Sequence, residues 1–389
     1  MSHAPFAPVI LGNEPGSFPH SVLAERHPAI IRQVRQAFPY DPTRHRALDA
    51  LLDSCAKGVI EPLSADAHDR DRWAAWGLAE HTGRSWYDVP WLWSESYFYR
   101  RLLDAVGYFA PGPWQGIDPF RPSKLAELAT SETDEELTAL DDLRTEDAGR
   151  ALLHGSLWGN RADLGFRLSD ATAGTAQAAP GLVADDSATL WSLLPPAGAG
   201  VLHLIADNAA RELIPDLLLI AHLLDSGRAR RAVLHVKPYP YYVSDATMAD
   251  VLDALRRLNE APGAASSYGR TLWSALTDGR LAVHAHPFFC APLPYAEMPA
   301  DLREQFAGAT LTVVKGDLNY RRLVGDRRWP PTTSFAEVTA HFPGPVAALR
   351  TLKSDVITGL DTETETALVA AEGQRWRTGG THALVQVRA

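Results

Sequence analysis

Lysine is scarce in this chain: five stand against thirty-two arginines in 389 residues. Asparagine is equally rare, and there are only two cysteines, Cys55 and Cys290. The cysteines lie far apart without metal-ligand spacing, which excludes a disulfide framework or a zinc knuckle and leaves two small buried residues. No apolar run approaches the roughly 18 residues needed to cross a bilayer. The N-terminal MSHAPFAPVILGNEPGS has neither the basic start nor the apolar centre of a secretory signal, so a cytoplasmic location is expected. A formal net charge of −10 removes the broad basic face that a nucleic-acid or anionic-membrane binder needs. An anionic ligand would have to be held by a local basic pocket.

The rare residues are not scattered. Lys237, Lys315 and Lys353 sit at or just after the ends of short apolar runs, in HVKPYP, VVKGDLNY and RTLKSD. A compact ammonium on a flexible stem suits a phosphate oxygen, where arginine offers a rigid fork. Asn160, Asn208 and Asn319 stand beside charged residues in SLWGNRAD, LIADNAARE and KGDLNYRR. Neutral oxygens next to carboxylates suit a hard divalent cation that keeps room for water and phosphate.

The length allows a large core and points to two domains or to one large domain with an appended helical part; the 46% apolar and 22% charged fractions are those of a globular protein. Residues 1–185 read as a helical region, with apolar residues at three- and four-residue spacing in AERHPAIIRQVRQAF, RHRALDALLDSCAKG and DEELTALDDLRTEDAGRALLHGSLW. The aromatic SWYDVPWLWSESYFYRRLLDAVGYF has too many large rings for a free surface helix and should pack between helices or against the second domain. After the small-residue stretch ATAGTAQAAPGLVADDSAT, residues 186–389 alternate β-branched runs (VLHLIAD, AVLHVK, LAVHAHP, TLTVVKGD) with helix-like segments. That alternation predicts an α/β domain with a mostly parallel, doubly covered sheet.

Ligands of such sheets bind beyond the carboxyl ends of the strands, which is where the polar clusters fall. Asp207 and Asn208 follow VLHLIA; they could form a half-shell for Mg²⁺ or Mn²⁺ or cap the next helix. Ser244 and Asp245 follow AVLHVK, and Asp245 could be a third oxygen ligand or either residue a cap. Glu212 could orient the metal shell or complement the helix dipole. VVKGDLNYRRLVGDRRWPPTTSF packs Lys315, Asp317, Asn319, Arg321 and further arginines beside a strand, as an anion site or as a solvated loop. RTLKSDVITGL adds Arg350 and Lys353, otherwise a surface ion pair. Read together, the loops hold a cation on Asp207, Asn208 and Asp245, with a phosphate bridging it to Lys353 and the Lys315 loop, an arrangement that stabilises a transferring phosphoryl group. No Walker loop, dinucleotide fingerprint, zinc-protease helix or nucleophile elbow is present.

Through PWLWSESYFYRR, SLWGNRADL, IADNAARELIPDLLL, YVSDAT, KGDLNYRRLVGDRRWP and RTLKSDVITGL, in this order across residues 86–360, the chain resembles the damage-control phosphatases. It looks most like the subgroup of acidic-residue methyltransferase-like and sugar-phosphate phosphatases, whose R-T-x-K signature matches RTLK. The resemblance implies a three-layer α/β/α sandwich with an N-terminal helical domain and a divalent metal (Mn²⁺, Mg²⁺, Co²⁺ or Ni²⁺) on Asp207, Asn208 and Asp245. It carries substrate contact to Asp317, Asn319, Tyr320, Arg321 and Lys353, with Asp317 a candidate acid/base, and assigns Glu212 and Asn160 to the metal's surroundings or the substrate side. One departure is Ala210, where the family writes glycine after D-N-A; a need for φ > 0 there would alter the local geometry.

The expected activity is hydrolysis of a small phosphorylated metabolite, with sugar phosphates such as fructose 1-phosphate leading. Water, Asp207 or Asp317 would attack phosphorus. The alternatives are an S-adenosylmethionine-dependent carboxyl methyltransferase, against which no glycine-rich adenosyl loop is found, and a phosphometabolite-binding protein without turnover.

Overall fold

A computed structural model describes residues 7–159, 181–198 and 200–389. Their centre is a seven-stranded sheet made of β1 (Leu182–Asp185), β2 (Gly200–Ile205), β3 (Ala229–Val236), β4 (Leu281–Ala285), β5 (Leu311–Lys315), β6 (Val346–Thr351) and β7 (Ala383–Arg388). The order is β1-β7-β6-β5-β2-β3-β4. Every pairing is parallel except β6 with β7, and helices cover both faces, as the alternating texture predicts.

Side-chain alternation divides the core. Leu202 and Leu204 of β2, Leu311 and Val313 of β5 and Ala347 and Leu349 of β6 face one apolar cluster; Ile205, Val314, Val346 and Ala348 face the other. The first cluster takes in the Leu213–Asp225 helix, whose LIPDLLLIAHLLD is buried nearly all round because it lies between the sheet and the neighbouring Ala148–Trp158 helix. Truncating one of its leucines to alanine would cost about 2–5 kcal/mol. The second cluster holds Phe288, Phe289, Tyr295 and Tyr320.

A third cluster fills the N-terminal helical part around Trp73, Trp86, Trp93 and Tyr97. The aromatic segment is the Trp91–Val106 helix, buried on nearly every side. One side packs into this cluster, and the other reaches the rim of the sheet, where Trp91 joins the second core. Among the described residues no helix is long and apolar enough to cross a membrane.

The strand order places the site. From β2 the chain steps outward through β3 to β4, then returns to β2's other side with β5 and β6. The loops leaving β2 and β5 therefore diverge, and open α/β sheets bind ligands in the crevice at such a switch point.

Candidate active site

A cleft of about 270 Å³ opens at that point, lined from β2's loop by Asp207, Asn208 and Glu212, from β3's by Ser244 and Asp245, from β5's by Asp317 and Arg321, and from β6's by Lys353. Its opposite wall is formed by Phe18, Arg26, Trp91 and Glu95. The volume suits a small metabolite.

Backbone bonds join two of these loops. Ala209 N donates to Ser244 O at 2.7 Å and Ala246 N to Asp207 O at 2.9 Å, and Asn208 bridges Asp245 in antiparallel fashion. The pairing holds Asp207 and Asp245 side by side. Neither acts as a helix cap. The Met248–Glu260 helix is closed by a reciprocal box between Thr247 and Asp250, and no side chain caps the Leu213–Asp225 helix. Asp245 Oδ2 accepts from Tyr242 N at 2.8 Å, and the Asp245 carbonyl accepts from Lys124 Nζ at 2.8 Å. Lys124 also meets Asp118 and Asp250 at 2.9 and 3.0 Å, so it pins the loop from below; its sequence context, RPSKLAEL, gave no sign of this.

Neither Asp207 nor Asp245 forms an ion pair among the described residues. Burial raises the Asp207 carboxyl well above the usual range, Glu212 and Asp245 add to the effect, and Lys353 and Lys237 oppose it. Asp245 is raised by burial against the pull of Lys237 and the Tyr242 N–H. Two buried carboxylates that repel one another make a cavity for positive charge. Asn208 Nδ2 donates to Glu212 Oε2 at 2.9 Å and Asp207 Oδ2 at 3.3 Å, which leaves the amide oxygen free. Among the described residues no group of three or more His, Cys, Asp or Glu side chains is placed to share a metal ion; the set here is two carboxylates and one amide oxygen, a donor set that fits a hard, oxygen-seeking cation.

Asp317 behaves differently. Burial would raise its carboxyl, but the Arg350 and Arg321 guanidiniums and hydrogen bonds from Arg350 and Ser354 bring it below the usual value. Its Oδ1 accepts from Arg350 Nε at 2.9 Å, Ser354 Oγ at 3.1 Å and Lys353 N at 3.2 Å. Asp317 thereby fixes the RTLKSD turn that presents Lys353. The Lys353 side chain is exposed and forms no ion pair among the described residues, so its ammonium faces the cleft unpaired.

Other candidates face elsewhere. Lys315 is buried against Asp216 Oδ1 at 3.2 Å and donates to the Ser156 carbonyl, holding the Ala148–Trp158 and Leu213–Asp225 helices together. Asn319 donates to Ala206 O and Lys315 O at 3.0 and 2.9 Å and accepts from Tyr295 OH at 3.0 Å, tying the ends of β2 and β5. Tyr320 OH meets Thr358 and Gln386. None of the three lines the cleft. Asn160 lies outside the described residues. Glu95 was missed by sequence reasoning; the signal was a lone acid within an aromatic helix.

Ala210 has φ +56°, so the position does take the left-handed conformation that favours glycine. That strain costs about 1–2 kcal/mol. The buried methyl and the lower entropy of the unfolded chain each return close to 1 kcal/mol, and the terms nearly cancel. Alanine is tolerated there for that reason.

The family model for the damage-control phosphatase ARMT1-like domain matches residues 22–369. The chain belongs to this family. Relatives named damage-control phosphatase ARMT1 include the zebrafish protein (Danio rerio), 31% identical over 78% of this chain and 74% of its own length. The human protein is 28% identical over 95% of this chain and 96% of its own. A solved DUF89 family protein from Pyrococcus horikoshii shares the fold, with a TM-score of 0.51 at 16% identity over 87% of this chain and 92% of that one.

Proposed function

We infer that this member of the family is a metal-dependent phosphatase of small phosphorylated metabolites, with sugar phosphates as the substrate class and the cytoplasm as its place of action. The observation that carries the reading is the facing of two buried carboxylates without an ion pair, Asp207 and Asp245, by the unpaired ammonium of Lys353 across one small cleft. A cation and a phosphate together satisfy both sides; either alone leaves one charge excess.

Asp207, Asp245 and the Asn208 amide oxygen would hold Mn²⁺, Mg²⁺, Co²⁺ or Ni²⁺, which supplies Lewis-acid polarisation of a phosphoryl group. Glu212 fixes which end of the Asn208 amide points inward. Lys353 meets the phosphoryl oxygens, its turn held by Asp317. Asp317 stays ionised at neutral pH, and its Oδ2, without a hydrogen-bond partner among the described residues, can accept a proton or a hydrogen bond from a substrate hydroxyl. Lys315, Asn319 and Tyr320 serve the reaction by fixing backbone, and Arg321 by holding the cleft's other wall.

The test is phosphate release from sugar phosphates, nucleotides and p-nitrophenyl phosphate by metal-stripped protein resupplied with each cation. Metal-restored turnover that is lost in Asp245→Ala, in a variant that still melts cooperatively, is expected. Silence with every metal, or methyl transfer from labelled S-adenosylmethionine, would overturn the reading.

A further inference from the structure

One wall of the cleft is not used by the cation or the phosphate. On the Trp91–Val106 helix Trp91 and Glu95 are four residues apart, hence on one face, and both line the cleft. Glu95 is 3% exposed. A buried carboxylate is costly, and a sequence keeps one where a partner or a ligand satisfies it.

Its partners account for half of it. Glu95 Oε2 accepts from Arg321 Nη1 at 3.1 Å and from Tyr242 OH at 3.2 Å. Arg321 is itself immobile: Nε and Nη2 donate to the two Asp326 oxygens at 2.7 and 3.0 Å, and the guanidinium lies 3.5 Å from the centre of the Trp91 ring. The carboxylate is therefore fixed from behind. Oε1 accepts from no described residue, yet it is not sealed off, and the space beside it is the cleft.

We propose that Glu95 Oε1 reads the hydroxyl groups of the substrate's carbon chain, making polyol phosphates the preferred substrates of this cleft over aryl phosphates and phosphorylated acids. The inference rests on the phosphatase reading above. A hydroxyl both donates and accepts, so it satisfies Oε1 whichever protonation state burial imposes. A second carboxylate or phosphate would meet the charge of Glu95 head-on, and an aryl group would leave a buried acceptor unpaired, the situation in which hydrogen-bonding sites discriminate most strongly. Phe18 and Trp91 on the same wall give this side of the cleft an apolar border. Burial raises the Glu95 carboxyl, and the charges of Arg321 and of Arg26, exposed on that wall, oppose the rise.

The experiment compares kcat/KM for fructose 1-phosphate with kcat/KM for p-nitrophenyl phosphate, using the full chain with Mn²⁺, in wild type, Glu95→Gln and Glu95→Asp. The expected result is a fall of tenfold or more in the ratio for Glu95→Gln, carried by KM for the sugar phosphate, and a fall in the same direction for Glu95→Asp, which withdraws the oxygens by one methylene. A purely structural role for Glu95 would lower both substrates together; an unchanged ratio, with equal losses or none, overturns the inference while leaving the phosphatase reading intact. A wild type silent on both substrates removes both at once.

Discussion

Gly316 and Asp207 touch so closely that a Cβ added to the glycine would lie 1.8 Å from Asp207 Oδ2. The glycine also has φ +81°, so two independent constraints exclude a side chain there. The loop after β5 thus forms the floor against which the first acid of the site is held.

Gly316→Ala should therefore act on the proposed cation site rather than on the core. The methyl displaces the Asp207 carboxylate, and loss of one of three oxygen donors should weaken Mn²⁺ binding by a factor on the order of 10–100. Calorimetric titration of the metal-stripped variant measures it directly. Wild-type affinity in Gly316→Ala would show that Asp207 is not a ligand.

Lys315 and Asp216 give a prediction of the opposite kind. The pair is buried at 3.2 Å, with Ser156 Oγ donating to Asp216 at 2.6 Å. Breaking it with Lys315→Met leaves a carboxylate alone in the core and should cost about 3–5 kcal/mol. Replacing both, as Lys315→Met with Asp216→Leu, should recover most of that loss. Urea unfolding of the two variants distinguishes a structural lysine, which the double change rescues, from a phosphate-binding one, whose loss of activity it would not repair.

The fold class was legible because the β-branched runs of β2, β3, β4 and β5 lie between strongly helical segments. β6 and β7 were harder. VAALRT is short and alanine-rich, and ALVQVR finds its place only by antiparallel pairing with β6 and parallel pairing with β1, a relation between distant segments that no local pattern encodes. At the site, sequence order put Asp207, Asn208 and Asp317 just past the ends of strands and Asp245 a short loop past another, while Lys353 came with the RTLK resemblance; all five line one cleft. Sequence order could not tell in which direction a strand-end side chain points: Lys315 and Lys353 look alike in VVKGD and RTLKS, yet one goes into the core and the other into the cleft. Glu95 belongs to another layer, and only tertiary packing brings it to the rim.

Histidines that are buried neutral should each cost stability on acidification. His27 stacks on Phe98 with ring centroids 3.6 Å apart and neither nitrogen has a hydrogen-bond partner among the described residues; burial, helped by the Arg26 charge, lowers it to about 3. His203 shares a 2.9 Å hydrogen bond with His235 across β2 and β3; burial and the neighbouring His284 and Arg231 lower it to about 4, and burial lowers His235 well below its usual value. Each folded value is depressed below the 6.5 of the unfolded chain, so the unfolded state binds more protons in the interval between. Their contribution is complete above pH 6.5 and is lost as pH falls toward 4, by about 1.4 kcal/mol per pH unit for each histidine. Asp216, raised by burial to about 6, works in the opposite direction, because its folded form takes up a proton first. Asp207, Asp245 and Glu95, raised by burial as well, add to that opposing effect, so the histidine share is read from a single variant rather than from the net slope. His27→Phe, which preserves the stack on Phe98, should flatten the slope of unfolding free energy between pH 6 and 4.5 by roughly one histidine's share. An unaltered slope in that variant would mean that His27 is protonated in the folded protein after all.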